Sequence, residues 1–325
     1  MEFIDVVVNL ALAYAVLYCA EDNFVRALDL GRLVLLSAIW GSSFIFIRLA
    51  VPALGPVALV ETRVLIAGAT LLIYAALTRQ ALELRQRWRQ YLVLGAVGSA
   101  IPFVLISTAE LNLSASLAAI LNATSPLFGA IVAAIWIRDP LTIRKASGLA
   151  IGFLGVAILA GWSHLALSTV VLLSIGASLL GALCYGLSSV YTKVRVKNAP
   201  PLGMAAGSQL FATLVLLPLT PFALPDAWPP RTALISALAL GFACTALAYL
   251  IYFRLIVNIG PVKALTVTFL VPIFGVLWGR LFLGEPITLS TLVACAVILA
   301  GTALVTGLPL RFPRKDPRST AEPGI

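Results

Sequence analysis

The chain has 325 residues, of which 61% are apolar and only 11% charged, and its mean hydropathy is +1.05. A soluble globular domain carries about a quarter charged residues, so this composition excludes one and identifies an integral membrane protein. Repeated apolar stretches of about 20 residues fit helices crossing a hydrocarbon core about 30 Å thick, whereas a membrane barrel needs alternating segments of about 10. The net charge of +9 is dispersed in short clusters between apolar runs, so it reads as topology and not as a nucleic-acid footprint.

In chain order, the opening stretch Phe3 to Ala20 is long enough for a marginal span but holds Asp5 and Asn9 and lacks the basic start of a signal peptide. It reads equally as an eleventh helix, an interfacial helix or an extension upstream of the true start, and residues 1–30 are set apart on that ground. Ten spans follow, at 33–52, 57–77, 90–109, 114–136, 142–161, 168–191, 202–223, 232–252, 261–283 and 288–307. The tail 309–325 is polar and Pro-containing, and disorder is expected there.

With a cytoplasmic N-terminus, 18 of the 22 Lys and Arg fall on inside segments, leaving Arg48, Arg63, Arg231 and Arg280 on or near the outer side. The positive-inside rule then puts both ends of a ten-helix chain in the cytoplasm, in a cell (inner) membrane.

Displacing the chain by 146 residues aligns Asn112 with Asn258, Pro126 with Pro272, Phe128-Gly129 with Phe274-Gly275, Pro140 with Pro286 and Gly155 with Gly301. A displacement of 145 lays "WGSSFIFIR" on "YGLSSVYTK", matching Trp40 to Tyr185, Ser43 to Ser188 and Arg48 to Lys193. The expected fold is therefore all-α, with ten transmembrane helices as two five-helix repeats over 31–162 and 167–308. Five is odd, so the second copy enters the membrane from the opposite side, an architecture found mostly in transporters.

The opening "WGSSF", the "TR" of the second span and the paired blocks "SPLFGAIVAAIWIRDPLT" and "VPIFGVLWGRLFLGEPIT" resemble the EamA-type repeats of the drug/metabolite transporter superfamily. The resemblance covers about residues 33 to 307 and departs from the family pattern at Asp139, where glutamate is usual. It implies a ten-helix exporter or exchanger of amino acids and other small metabolites, with substrate held among helices 1, 3, 4, 6, 8 and 9.

Individual residues carry two readings each. Pro126 and Pro272 fall mid-span, where each frees a backbone carbonyl that a wet cavity or plain helix packing must receive. The hydroxyl and amide groups near them, Asn122, Thr124 and Ser125 and then Thr266 and Thr268, suit a cavity lining. Trp40 and Ser43, with Tyr185 and Ser188 at the related positions, would face each other across the pseudo-two-fold axis, and Tyr249 and Tyr252 share a helix face. With Asn122, Ser125 and Thr266, these aromatic and hydroxyl residues are the substrate-binding candidates, against the alternative that Trp and Tyr sit in interfacial belts.

Asp139 and Glu285, each followed by Pro, are expected to cap the fifth and tenth helices, with a coupling role as the alternative; such a cap contributes about 0.5 to 2 kcal/mol. Arg48 and Glu61 are expected to pair at the outer side as an anchor or gate, and Glu110 to be solvated. Gly148 with Gly152, and Gly275 with Gly279, let helices approach closely, within the fold or, as the lesser alternative, in a homodimer.

The four cysteines lie in apolar stretches without CxxC spacing, so neither a metal site nor a disulfide framework is indicated. A single histidine, His164, and the lack of a P-loop argue against an enzyme or an ATP-driven pump and call for no cofactor. The remaining reading is a secondary transporter of small molecules, seated in the lipid bilayer and without nucleic-acid partners. The alternative is a small multidrug or other metabolite permease and, behind it, a membrane channel or intramembrane enzyme. Proton antiport stands level with facilitated export or exchange, because no acid is clearly central in a span.

Overall fold

The computed structural model describes residues 27–162, 168–260, 264 and 266–307. The stretch Phe3 to Ala20, His164 and the polar tail lie outside the described residues. Ten apolar helical elements among the described residues are numbered α1 (Ala27–Leu54), α2 (Pro56–Thr78), α3 (Trp88–Ala109), α4 (Ala115–Trp136), α5 (Ile143–Trp162), α6 (Thr169–Arg195), α7 (Pro201–Leu216), α8 (Arg231–Ile259), α9 (Val267–Leu283) and α10 (Leu289–Thr306). Eight of these are long and apolar enough to cross a membrane, and α7 and α9 are shorter apolar helices. The expected end of α7 at 223 is too late: the helix stops at Leu216 and a 3-10 turn, Thr220–Phe222, follows. Conversely α8 runs seven residues beyond its expected end at 252.

In hydrocarbon every backbone polar group must be satisfied within the protein, which is why helices dominate and their interruptions are informative. Ser114 and Ser168 cap α4 and α6 by accepting the backbone N–H of Leu117 at 3.2 Å and Val171 at 3.3 Å. Gly55 turns α1 into α2 with φ +72°, a left-handed conformation that side chains resist, and Pro56 then opens α2 where no N–H is needed.

The pairing of helices is that of inverted repeats. The first helix of each repeat packs on the fourth of the other, α1 on α9 and α6 on α4, while α2 meets α7 and α5 meets α10. Related glycines sit at these contacts. Gly41 abuts Phe274 and Gly275, and Gly186 abuts Phe128 and Gly129. The two repeats even share a defect: α3 contains a π-turn at Ala96–Ala100 and α8 one at Phe242–Leu247, starting at positions 146 residues apart.

Side-chain ties obey the same symmetry. Asn112 donates to Ser174 at 3.1 Å, and its counterpart Asn258 donates to Asp29 at 2.8 Å. Gly148 and Gly152 lie against Gly301 of α10, and Gly275 and Gly279 against Ala119 and Ser116 of α4, so all four serve contacts within the chain. Leu77, Ile135 and Ile143 are among the apolar side chains left exposed, as lipid-facing positions require.

The acid-Pro blocks do not act as expected. The fifth and tenth helices each begin three residues after the proline, and their first turns are met by threonines: Thr288 Oγ1 accepts the N–H of Thr291 at 3.2 Å and Thr142 Oγ1 that of Lys145 at 3.3 Å. Asp139 instead accepts from Lys145 Nζ at 2.8 Å. Glu285 reaches across to the other repeat, where its two oxygens accept the N–H groups of Ala115 at 2.8 Å and Ser116 at 3.0 Å at the start of α4.

Candidate functional site

A cavity of about 540 Å³ lies between the repeats, within the range of small-molecule sites. For the two ends of the bundle we use α1 and α2: the Leu54 end and the Thr78 end. The cavity reaches the Thr78 end, where the exposed Lys193 and Thr306 line its mouth. Toward the Leu54 end it is closed by an apolar cluster including Ile47, Val51, Leu54, Leu59 and Ala118.

The wall of the cavity is built where α4 breaks. Pro126 is expected mid-helix, but α4 is interrupted at Ala123 and Thr124, and Pro126 is the second residue of the half-helix Ser125–Trp136. The exposed backbone groups are received locally: Ser125 Oγ donates to the Asn122 carbonyl at 2.6 Å, Thr124 Oγ1 to that of Leu121 at 2.6 Å, and Thr302 Oγ1 to that of Ala123 at 3.2 Å. Pro272, by contrast, sits inside an unbroken α9. Both prolines line the cavity.

Trp40, Ser43, Asn122, Ser125, Tyr185, Tyr249 and Thr266 all line this one cavity, although they come from four helices and from the turn before α9. Two candidates do not. Tyr252 packs behind Trp40 with ring centroids 5.4 Å apart. Ser188 faces α3, where a side chain at Gly98 would collide with its hydroxyl, and the neighbouring Ser189 takes the cavity position.

The expected gate pair is not formed. Arg48 donates to the carbonyl oxygens of Glu110 and, at 3.2 Å, of Leu111, so it closes the end of α3 and not an ion pair with Glu61. The carbonyls at the end of α3 have no partner within the helix, and they are the acceptors that Arg48 meets. Glu110 is fully buried, contrary to its expected solvation; its backbone carbonyl is held by Arg48, and neither carboxyl oxygen has a hydrogen-bond partner among the described residues. Glu61 is also buried. Arg48, Glu61, Asp139 and Glu285 all stand outside the cavity lining.

Sequence reasoning missed Arg63. Expected near the outer end of α2, it starts two turns into the helix, roughly 10 Å deep, lines the cavity and is only 7% exposed. Its Nε donates to Thr245 Oγ1 at 2.9 Å, and its guanidinium carbon stands 3.8 Å from the centre of the Phe103 ring. Thr245 belongs to the π-turn of α8 and itself donates to the Leu240 carbonyl at 2.8 Å, so the backbone defect delivers the acceptor that Arg63 uses. The signal was available in the repeat: the 146-residue displacement aligns Arg63 with Gln209, a polar residue equally deep in α7.

Three free cysteines, Cys184, Cys244 and Cys295, are present among the described residues, and no group of three or more His, Cys, Asp or Glu there could hold a metal ion.

Comparison with known proteins meets the same architecture. The sequence pattern of the EamA-like transporter family matches residues 32–161 and 172–307, one match per repeat. An uncharacterized transporter of Archaeoglobus fulgidus is 24% identical over 84% of this chain and 96% of its own length. The uncharacterized inner membrane transporter YedA of Escherichia coli K12 is 27% identical over 88% and 92%. A probable terminal-alkyne amino-acid exporter of Streptantibioticus cattleyicolor is 26% identical over 84% and 91%. A solved crystal structure superposes with a TM-score of 0.60 at 20% identity, covering 85% of this chain and 96% of that one, which shows the fold. Two family matches that cover both repeats, on a bundle whose cavity lies between them, establish that this chain belongs to the EamA-like transporter family of the drug/metabolite transporter superfamily.

Proposed function

We propose that the protein exports or exchanges amino acids or related amphipathic metabolites by alternating access of its two repeats. The observation that carries this reading is a cavity between inverted repeats that reaches one end of the bundle and is sealed at the other. Two halves of similar build can exchange conformations at little net cost, so a solute taken up at one end is released when the seal moves to the other.

Arg79, Arg85, Arg87, Arg89, Arg138 and Lys197 are among the cations at the Thr78 end, while Arg231 and Arg280 lie toward the Leu54 end. On the positive-inside rule the Thr78 end is cytoplasmic, both termini of the ten-helix bundle lie there, and the cavity faces the cytoplasm, the side from which an exporter loads. The lining favours an amphipathic solute: aromatic and aliphatic walls from Trp40, Phe44 and Phe103 are joined to hydroxyls from Ser43, Ser125 and Tyr185.

Efflux from proteoliposomes preloaded with a panel of radiolabelled amino acids, with and without a pH gradient, tests the reading. Flux of at least one amphipathic amino acid is expected, and no flux of any small metabolite would overturn it. Strict dependence on the gradient would select proton antiport over facilitated export or exchange.

A further inference from the structure

We infer that Arg63 is the anion seat of the cavity, so that the solute carried bears a single carboxylate bound by this guanidinium with its apolar part against Trp40 and Phe44. The inference rests on the transport reading above and narrows its substrate class.

Arg63 lines the cavity while almost wholly buried. Of its five N–H donors, the Nε has a protein acceptor among the described residues, Thr245 Oγ1. The ion pairs among those residues are Arg32 with Asp29, Arg87 with Glu83 and Lys145 with Asp139; the fully buried Glu110 is within electrostatic reach of Arg63 but stands outside the cavity lining, so no carboxylate among the described residues lies within ion-pair distance of the guanidinium. A buried cation in a membrane interior is costly unless a counter-charge or water meets it, and a planar carboxylate matches the guanidinium fork with two parallel hydrogen bonds.

The repeat supplies a control within the molecule. At the position related to Arg63, Gln209 Nε2 donates to Ser99 Oγ at 3.0 Å, and Ser99 is itself related to Thr245. The tie from the second helix of one repeat to the π-turn of the other is therefore made by a neutral amide just as well. Gln209 does not line the cavity; Arg63 does. A positive charge is thus superfluous for the tie and is present only on the side that opens to solute. Tyr185 and Tyr249 line the same cavity and carry hydroxyls able to donate to a bound carboxylate. One deep cation, with Lys193 out at the mouth, suits a monoanion and not a di- or triphosphate.

The test uses the full chain with three probes of one shape: 4-methylpentanoate, L-leucine and L-leucinamide. Ligand-induced thermal stabilisation is measured in detergent and counterflow in proteoliposomes. The two carboxylates should stabilise the wild-type protein and exchange, with leucinamide at least about tenfold weaker, the factor set by one charge-assisted hydrogen bond. Arg63→Gln, which copies the residue found at the related site, should weaken both carboxylates about tenfold or more while keeping the tie to Thr245, and Arg63→Lys should lie between. Equal response of the wild type to acid and amide would overturn the inference without any variant, as would unresponsiveness to both carboxylates. Amide counterflow equal to that of the acids and unaffected by Arg63→Gln would overturn it while leaving transport standing. Carboxylate binding lost in Arg63→Gln, without flux of any probe, would uphold the seat and overturn transport.

Discussion

Glu285 and Ser116 join the two repeats at the Leu54 end: the carboxylate accepts the Ser116 N–H at 3.0 Å and its hydroxyl as well, across 169 positions of chain. Because an oxygen of the same group also holds the Ala115 N–H, the start of α4 is capped by a residue outside its own repeat. Removing a charged cap leaves those donors unsatisfied and costs about 1 to 3 kcal/mol. Glu285→Ala should lower the thermal denaturation temperature in detergent. In a background without native cysteines, it should also raise the rate at which an Ala118→Cys side chain reacts with a soluble maleimide. Ala118 is fully buried in the cluster that seals the cavity, so an unchanged rate would show that the seal stands without Glu285.

Asp139, the counterpart of Glu285, should behave differently. Its hydrogen bond from Lys145 holds the carboxyl below the ordinary aspartate range, at a well-solvated site. A group depressed in the folded state contributes stability above its unfolded pKa and loses it as pH falls through the folded value. Asp139→Asn should therefore differ slightly from wild type at neutral pH, and the difference in denaturation temperature should vanish on acidification. A gap that widens toward low pH would exclude the pair as its source.

How much of this was legible follows from the range of each interaction. The repeat was legible because it needs only like residues at a fixed displacement, and the displacement that aligns Pro126 with Pro272 also relates the two π-turns. The role of Glu285 was not, since an acid followed by Pro reads locally as a cap for the next helix, while its targets lie in another repeat. Ser188 was one residue off: a step of about 100° along a helix moves a side chain from the cavity to the α3 contact, and Ser189 holds the cavity face. Arg63 lies deeper than its place in the span suggests, because nearness to a span end does not measure closeness to water, and the acceptor that makes its depth tolerable comes from a π-turn that no apolar pattern announces.

Gly301 tests the crossing of α5 and α10. A β-carbon there would stand 2.4 Å from the Gly152 nitrogen and 2.6 Å from the Gly148 carbonyl oxygen, both backbone atoms that cannot swing aside. Gly301→Ala should therefore destabilise by the amount typical of overpacking, about 1 to 3 kcal/mol, with lower folded yield in detergent. Gly176, on α6, meets nothing within 4 Å of the same atom, so Gly176→Ala should be neutral or slightly stabilising. Equal effects of the two on denaturation temperature would refute close backbone approach as the reason for Gly301.

Trp40 and Tyr252 separate a wall of the cavity from its support. Trp40 lines the cavity, whereas Tyr252 lies behind it at 5.4 Å between ring centroids and stands outside the cavity lining. Trp40→Ala and Tyr185→Ala should each reduce transport of the best amphipathic probe tenfold or more at unchanged folded yield, because each removes a large contact area inside the site. Tyr252→Leu keeps an apolar support but frees the indole to tilt, so it should raise the half-saturating concentration a few-fold and leave the maximal rate near that of wild type. The measurement is initial efflux rate against internal solute concentration in proteoliposomes. Unchanged kinetics in both alanine variants would remove those residues from the site, and a Tyr252→Leu defect as deep as that of Trp40→Ala would place Tyr252 in contact with the solute.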